Sequence, residues 1–160
     1  PYPGGAAMDR LAYEGKVILP FPSAAIRDDS LDFSFSGIKT AVLNYINSTS
    51  QKGEALNCAD VAASFCRAAV SSVSTKLSLA IDRNPDIKAV ALAGGVAANS
   101  HLRDEIEKLC KSRGLEFFCP DKKYCGDNAV MIAAAGYFEY IKGDIAPLSL
   151  NAEAARFEDV

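Results

Sequence analysis

Residues 87–113 read IKAVALAGGVAANSHLRDEIEKLCKSR, and this stretch decides the fold. Residues 87–93 form a short, nearly continuous apolar run, which suits a strand buried on both faces of a sheet. Gly94 and Gly95 follow, where the backbone can turn sharply and pass close to another group. Beyond them Leu102, Ile106, Leu109 and Cys110 recur at helical spacing, and Gly114 stands where such a helix takes its C-terminal cap. Asp104 with Lys108 and Glu107 with Lys111 are acid-before-base pairs on the outer side. A strand, a glycine turn and a helix N-terminus make a place where open α/β sheets bind ligands, without naming the ligand.

Downstream, residues 115–119 read as a second strand, parallel to the first through a right-handed crossover. A loop over 120–126 leads to a helix over 128–141, with Val130, Ala133, Ala134, Tyr137 and Ile141 available for packing and Gly143 ending it. Residues 145–160 read as an extended tail. Upstream, a long helix over 59–83 takes Asn57 as N-cap, buries Val61, Phe65, Val73, Leu77 and Ile81, and stops at Asn84 and Pro85. Its small residues, Ala62, Ala63, Ala68, Ala69, Ser71 and Ser72, allow close packing.

Further upstream, residues 31–36 alternate strictly, Leu31, Phe33 and Phe35 on one face and Asp32, Ser34 and Ser36 on the other. That pattern predicts a half-buried strand whose polar face lines a cleft. Ser36 is then placed to cap a helix over 37–47, with Ile38, Ala41, Val42, Tyr45 and Ile46 on its core face. Lys39 falls in the first turn, against the helix dipole. Residues 17–21 are a brief extended run, and residues 6–14 a short helix ended by Gly15. Residues 1–5, PYPGG, read as a turn inside a chain rather than a start, so the sequence is expected to be a piece of something longer. No internal repeat and no second domain boundary is visible.

With 160 residues, 49% hydrophobic and 23% charged, the composition is that of a soluble globular domain. No apolar run approaches the ~20 residues of a membrane span. A net charge of −3 supplies no broad basic field for nucleic acid, although a local patch or a partner can supply one. The five cysteines, Cys58, Cys66, Cys110, Cys119 and Cys125, include no C-x-x-C pair and read as reduced thiols of a cytoplasmic protein, with Cys58, Cys66 and Cys110 buried.

Two positions coincide in their placing. Asn99 ends the turn after the first strand and Asp127 ends the loop after the second, each before a helix that it is expected to cap. Both are therefore expected at the carboxyl ends of neighbouring parallel strands, although Asn and Asp are also simply the preferred caps. Gly5 can let its backbone approach a ligand, while Asp9 faces out one turn along; a turn glycine and a solvated carboxylate are equally consistent. One aspartate is one metal ligand, and a stable site needs more. His101, the sole histidine, reads as a surface residue. There is no P-loop, no G-x-G-x-x-G and no H-E-x-x-H, and Ser34 and Ser36 have no histidine partner for a hydrolase triad.

Taken together, PYPGGAAMDRLA, LDFSFSGIKTAV, ALAGGVAANSHLR and YCGDNAVMIAAAG, in this order, resemble the C-terminal half of the tRNA N6-adenosine threonylcarbamoyltransferase family, once called the glycoprotease or O-sialoglycoprotein endopeptidase family. The likeness extends over nearly the whole chain, and DFSFSG resembles its bacterial branch. It implies an α/β fold of the actin-like ATPase type (ASKHA, ribonuclease-H-like), with residues 1–160 as an incomplete lobe of mixed sheet and flanking helices. It implies transfer of a threonylcarbamoyl group from threonylcarbamoyl-adenylate to N6 of the adenosine following the tRNA anticodon. The fragment alone is expected to be inactive. The resemblance further implies one divalent metal ion, iron or zinc, held by Asp127 and completed by two histidines from an N-terminal half absent from this sequence. It gives Gly5, Asp9 and Asn99 as substrate contacts and assigns no catalytic group. Partners implied are tRNA, a paralogous subunit and a small ATPase, in the cytoplasm and without a membrane.

The residue types suit these roles: a carboxylate for the cation, Asp9 as acceptor for ribose hydroxyls, Gly5 for a nucleoside lying against backbone, and Asn99 to donate and accept at once. Gly126 stands where the family has Thr, and Ala6 and Ala7 where Pro-Glu is commoner. Two other expectations are a non-catalytic paralogue acting as a partner-binding platform and an actin-fold ATP-dependent small-molecule kinase.

Overall fold

The structure, a computed structural model, describes residues 4–26 and 30–151. The chain folds as two compact units, residues 1–125 and 126–160. The first holds α1 (Gly4–Glu14), α2 (Ser36–Gln51), α3 (Cys58–Arg83), β1 (Ala89–Ala91), α4 (Ser100–Arg113) and β2 (Glu116–Phe118); the second holds α5 (Ala129–Lys142). Short 3-10 turns lie at Gly95–Ala98 and Lys122–Tyr124.

α3 is the frame of the first unit. The Asn57 side chain accepts from the amides of Ala59 and Asp60, satisfying two donors that a helix N-terminus otherwise leaves unpaired. The stripe facing inward is built largely of small residues, with Ala62, Ala63, Ser64, Cys66 and Ser72 all buried. Their size lets neighbouring backbone come close. Ser64 Oγ accepts from the amides of Ile18 and Leu19, and Ser72 Oγ accepts from the amide of Ala24. The extended segment after α1 is thus laid along α3 by serine hydroxyls rather than by a neighbouring strand. At its start Gly15 is indispensable, because a Cβ there would stand 2.0 Å from the Ala59 carbonyl oxygen.

The hydrophobic centre joins α1, α3 and α4 through Ala12, Ala62, Cys66, Val70, Leu102, Ile106 and Cys110. β1 and β2 are parallel, with Val90 opposite Phe117, and both of these side chains pack against that centre. The crossover through α4 gives the strand, helix and strand expected from the sequence. Burial on both strand faces does not follow: Ala89, Ala91 and Glu116 are exposed, and Phe118 is 56% exposed. Within this unit, among the described residues, the sheet meets the α1, α3 and α4 centre through the Val90 and Phe117 side chains.

The mixed sheet is also corrected. Among the described residues the sheet has two parallel strands, and residues 31–36 contribute one antiparallel bridge, Phe33 to Ala25. The alternation is cut short because Phe35 already has helical backbone angles (φ −80°, ψ −5°) and Ser36 opens α2. Ser36 is therefore inside the helix rather than its cap, and its carbonyl accepts from Thr40 Oγ1. Cys66 and Cys110 are buried as expected, but Cys58, at the first position of α3, is exposed.

In the second unit the Asn128 side chain caps α5 by accepting from the amide of Met131 at 3.0 Å, and Gly143 closes the helix in the left-handed conformation. Every residue of α5 is exposed. Residues 144–151 carry no helix or strand, and the expectations for residues 1–3 and for the tail beyond Asn151 fall outside the described residues.

Candidate functional site

The site is built at the carboxyl ends of β1 and β2, where parallel strands deliver both following loops to one edge. After β1, Gly94 takes φ 87° and ψ 175°, angles that a side chain would resist. The turn over Gly95–Ala98 then brings Asn99 to the N-terminus of α4 in an extended conformation. Asn99 Oδ1 accepts from the Leu102 amide at 2.8 Å, as the cap pattern predicts. That bond takes one of the oxygen's two acceptor positions, and the amide nitrogen adds two donor hydrogens. This nitrogen lies 3.8 Å from Cys66 Sγ. Burial pushes the Cys66 thiol above its ordinary range, and the Asp9 carboxylate adds to the shift, so the sulfur facing Asn99 is neutral at neutral pH. Asn99 and Cys66 line a cavity of about 360 Å³ whose other walls are apolar, among them Met8, Phe35, Phe65 and Val96. Met8, Phe35 and Phe65 also border a larger groove of about 720 Å³ between α1, α2 and α3.

Asp9 does not face out. It is half-buried, and both of its oxygens are engaged by one residue of α4. Oδ1 accepts from the Ser100 amide at 2.9 Å and Oδ2 accepts from Ser100 Oγ at 2.9 Å. The physical reason is the helix N-terminus, whose unpaired amides and positive end favour a carboxylate. Lys122 Nζ donates to the same Ser100 Oγ at 2.6 Å. Gly5, in the first turn of α1, is exposed, with no heavy atom of the described residues within 4 Å of where a Cβ would stand.

Arg103 ties the two loops together. Its Nη2 donates to the Pro120 carbonyl at 2.6 Å and to Cys125 Sγ at 3.0 Å, while Nε donates to the Ala97 carbonyl. His101 is not a plain surface residue: its ring stacks on Tyr13 with centroids 3.9 Å apart, and its Nε2 is buried without a hydrogen-bond partner among the described residues. Ser100, Lys122, Arg103 and Cys66 had no assigned role from sequence. Only Ser100 carries a hint, as the polar residue directly after the cap.

Asp127 is exposed and precedes the cap instead of being it, since Asn128 takes that place. Among the described residues no three His, Cys, Asp or Glu side chains converge as a metal site. The carboxylate is the right type for a hard or borderline cation, but this chain's described residues do not make a complete binding set. No helix of the described residues is long and apolar enough to cross a membrane.

The sequence profile of the family described as tRNA N6-adenosine threonylcarbamoyltransferase matches residues 1–134. A protein of that name from Moorella thermoacetica is 48% identical over 153 residues, covering 95% of this chain and 44% of the relative. Another from Clostridium beijerinckii is 46% identical and covers 95% and 45%, and one from Caldicellulosiruptor saccharolyticus is 47% identical and covers 94% and 44%. The chain thus spans less than half the length of these curated relatives. With the profile matched across the glycine turn, the Asp9 helix and the loop that bears Asp127, the chain belongs to the tRNA N6-adenosine threonylcarbamoyltransferase family.

Proposed function

We propose that this chain is the carboxyl-terminal half of a threonylcarbamoyltransferase, an actin-like lobe that forms one wall of a cleft closed by the rest of the protein. The whole protein moves the threonylcarbamoyl group from threonylcarbamoyl-adenylate to N6 of the adenosine following the tRNA anticodon, in the cytoplasm. A paralogous subunit and a small ATPase assist it. The observation that carries this reading is the convergence of Asp9, Asn99 and Ser100 at the N-terminus of α4, within the span matched by the family profile. In this reading Asp9 accepts from the ribose hydroxyls, Asn99 donates its amide hydrogens to the nucleotide, and the open face of Gly5 receives the nucleoside. Asp127 is the one ligand that this chain contributes to a divalent iron or zinc ion, with histidines from the other half completing the set. Such an ion, when bound, supplies Lewis-acid polarisation of a carbonyl.

The test joins this chain to the portion of the M. thermoacetica relative that the match does not cover. The joined protein is expected to retain one equivalent of metal after dialysis, and Asp127→Ala to retain almost none. Equal metal content in both proteins contradicts the role of Asp127. No metal in either points to a partner-binding platform without catalysis.

A further inference from the structure

Two of the cysteines stand at the ends of one loop. Cys119 directly follows β2, and Cys125 directly follows the turn over Lys122–Tyr124. Strand alternation puts Cys119 on the side of Phe117, which packs against the α4 residues of the centre, because Phe118 between them is exposed. Cys125 is turned back onto the same loop, its sulfur 3.9 Å from the Pro120 carbonyl oxygen and 3.6 Å from that of Asp121. Arg103, on α4, donates to the Pro120 carbonyl at 2.6 Å and to Cys125 Sγ at 3.0 Å. One guanidinium thus holds that sulfur beside the residue that follows Cys119. Burial pushes the Cys119 thiol up, the charge of Arg103 draws it down, and Cys125 adds to the rise, so the three groups share one neighbourhood. Both thiols are free, Cys125 buried and Cys119 partly exposed.

We propose that Cys119 and Cys125 are a reversible dithiol–disulfide pair, which closes the loop after β2 when a small-molecule disulfide such as oxidised glutathione is in excess. The Cys119 sulfur, the more accessible of the two, attacks oxidised glutathione as its thiolate and expels one glutathione thiolate. Cys125 then attacks the Cys119 sulfur of the mixed disulfide and expels the second. One protein S–S bond forms, the glutathione S–S bond is reduced, and the two protein thiol protons pass to the two glutathione thiols. Closure draws the sulfurs to about 2 Å and pulls Cys125 against its hold on Arg103. Asp127 lies two residues further along, so the backbone passes the shift on to it. That consequence rests on the reading of Asp127 as a metal ligand, whereas the pairing itself does not.

The joined protein, equilibrated with oxidised or reduced glutathione, quenched with acid and cut with trypsin, tests the pairing. Lys122 and Lys123 lie between the two cysteines, so a disulfide leaves peptides 114–122 and 124–142 linked. Linked peptides are expected in nearly all of the oxidised protein and in none of the reduced. At one glutathione ratio they should form several-fold more readily in the folded protein than in urea. Equal yields from folded and unfolded protein, or glutathione adducts in place of the link, overturn the pairing. Calorimetric titration with zinc, after glutathione is removed, reads the consequence. The oxidised protein is expected to bind zinc about ten-fold more weakly than the reduced, as for a disturbed support of a ligand. Cys119→Ser should bind equally after either treatment, and since Cys119 is partly exposed this variant keeps the test decisive should Cys125→Ser not fold. Equal zinc affinity in the two redox states of the wild-type protein overturns the switch. If Asp127→Ala also binds zinc like the wild type, the reading of Asp127 has failed and the switch with it.

Discussion

Arg103 donates to the carbonyl of Pro120, seventeen residues further along the chain, at 2.6 Å. The same guanidinium reaches the carbonyl of Ala97 in the other loop and the buried sulfur of Cys125. One planar fork therefore sets the spacing of the segments that follow β1 and β2. Arg103→Ala leaves the two carbonyls and the thiol without their charged donor, and is expected to cost about 1–3 kcal/mol. Arg103→Lys is expected to recover little, because an ammonium cannot span three acceptors in one plane. Urea unfolding of the three proteins checks both, through midpoints at an unchanged slope.

Gly15 is a test of the contact between the end of α1 and the start of α3. An alanine Cβ there would fall 2.0 Å from the Ala59 oxygen and 2.1 Å from its carbon. Backbone must move to make room. Gly15→Ala is expected to destabilise by on the order of 3 kcal/mol, read as a fall in thermal midpoint. A midpoint equal to wild type contradicts the packing described.

Asn99 performs two duties that substitution can separate. Its oxygen caps α4 through Leu102, and its amide nitrogen is the donor proposed for the nucleotide. Asp is an equally good N-cap but has no donor hydrogens when ionised. Asn99→Asp is therefore expected to unfold within about 1 kcal/mol of wild type while losing most nucleotide affinity. Asn99→Ala should lose both. Thermal unfolding and calorimetric titration, run on the same samples, distinguish the two outcomes.

Alkaline pH should weaken the fold in a defined direction. Burial pushes the thiols of Cys66 and Cys110 above their ordinary value of 9.0. Above that pH the unfolded chain releases these protons while the folded chain still holds them. The stability they contribute is complete below pH 9.0 and is lost as pH rises through the folded values. Unfolding free energies are expected to fall between neutral and strongly alkaline pH, and more gently in Cys66→Ala/Cys110→Ala. A slope unchanged by the double substitution contradicts the assignment. Cys119 and Tyr13 shift the same way, so part of the slope should remain.

What the sequence revealed and what it hid divide along physical lines. Asn57, Asn99 and Gly114 act through bonds to residues two to four positions away, and each does what its local pattern predicts. The crossover from β1 through α4 to β2 was legible for the same reason, as a change of hydrophobic period around a glycine turn. Alternation over residues 31–36 identified two faces but carried no information on whether a pairing strand exists, and among the described residues only the Phe33 bridge forms. Asp127 and Asn128 are both good caps, and a shift of one residue in where α5 begins decides between them. Asp9 and Ser100 lie 91 positions apart, so no local pattern connects them. Arg103, read alone, is one more charged residue on a helix.

The most direct measurement is the chemistry of the joined protein. It is incubated with threonylcarbamoyl-adenylate and unmodified tRNA, and the tRNA is digested to nucleosides for mass spectrometry. N6-threonylcarbamoyladenosine is expected in the wild-type reaction, and its near absence with Asp9→Ala or Asn99→Ala. Unmodified adenosine throughout, together with phosphoryl transfer from ATP to a small acceptor, would contradict the transferase reading and favour a kinase on the same fold.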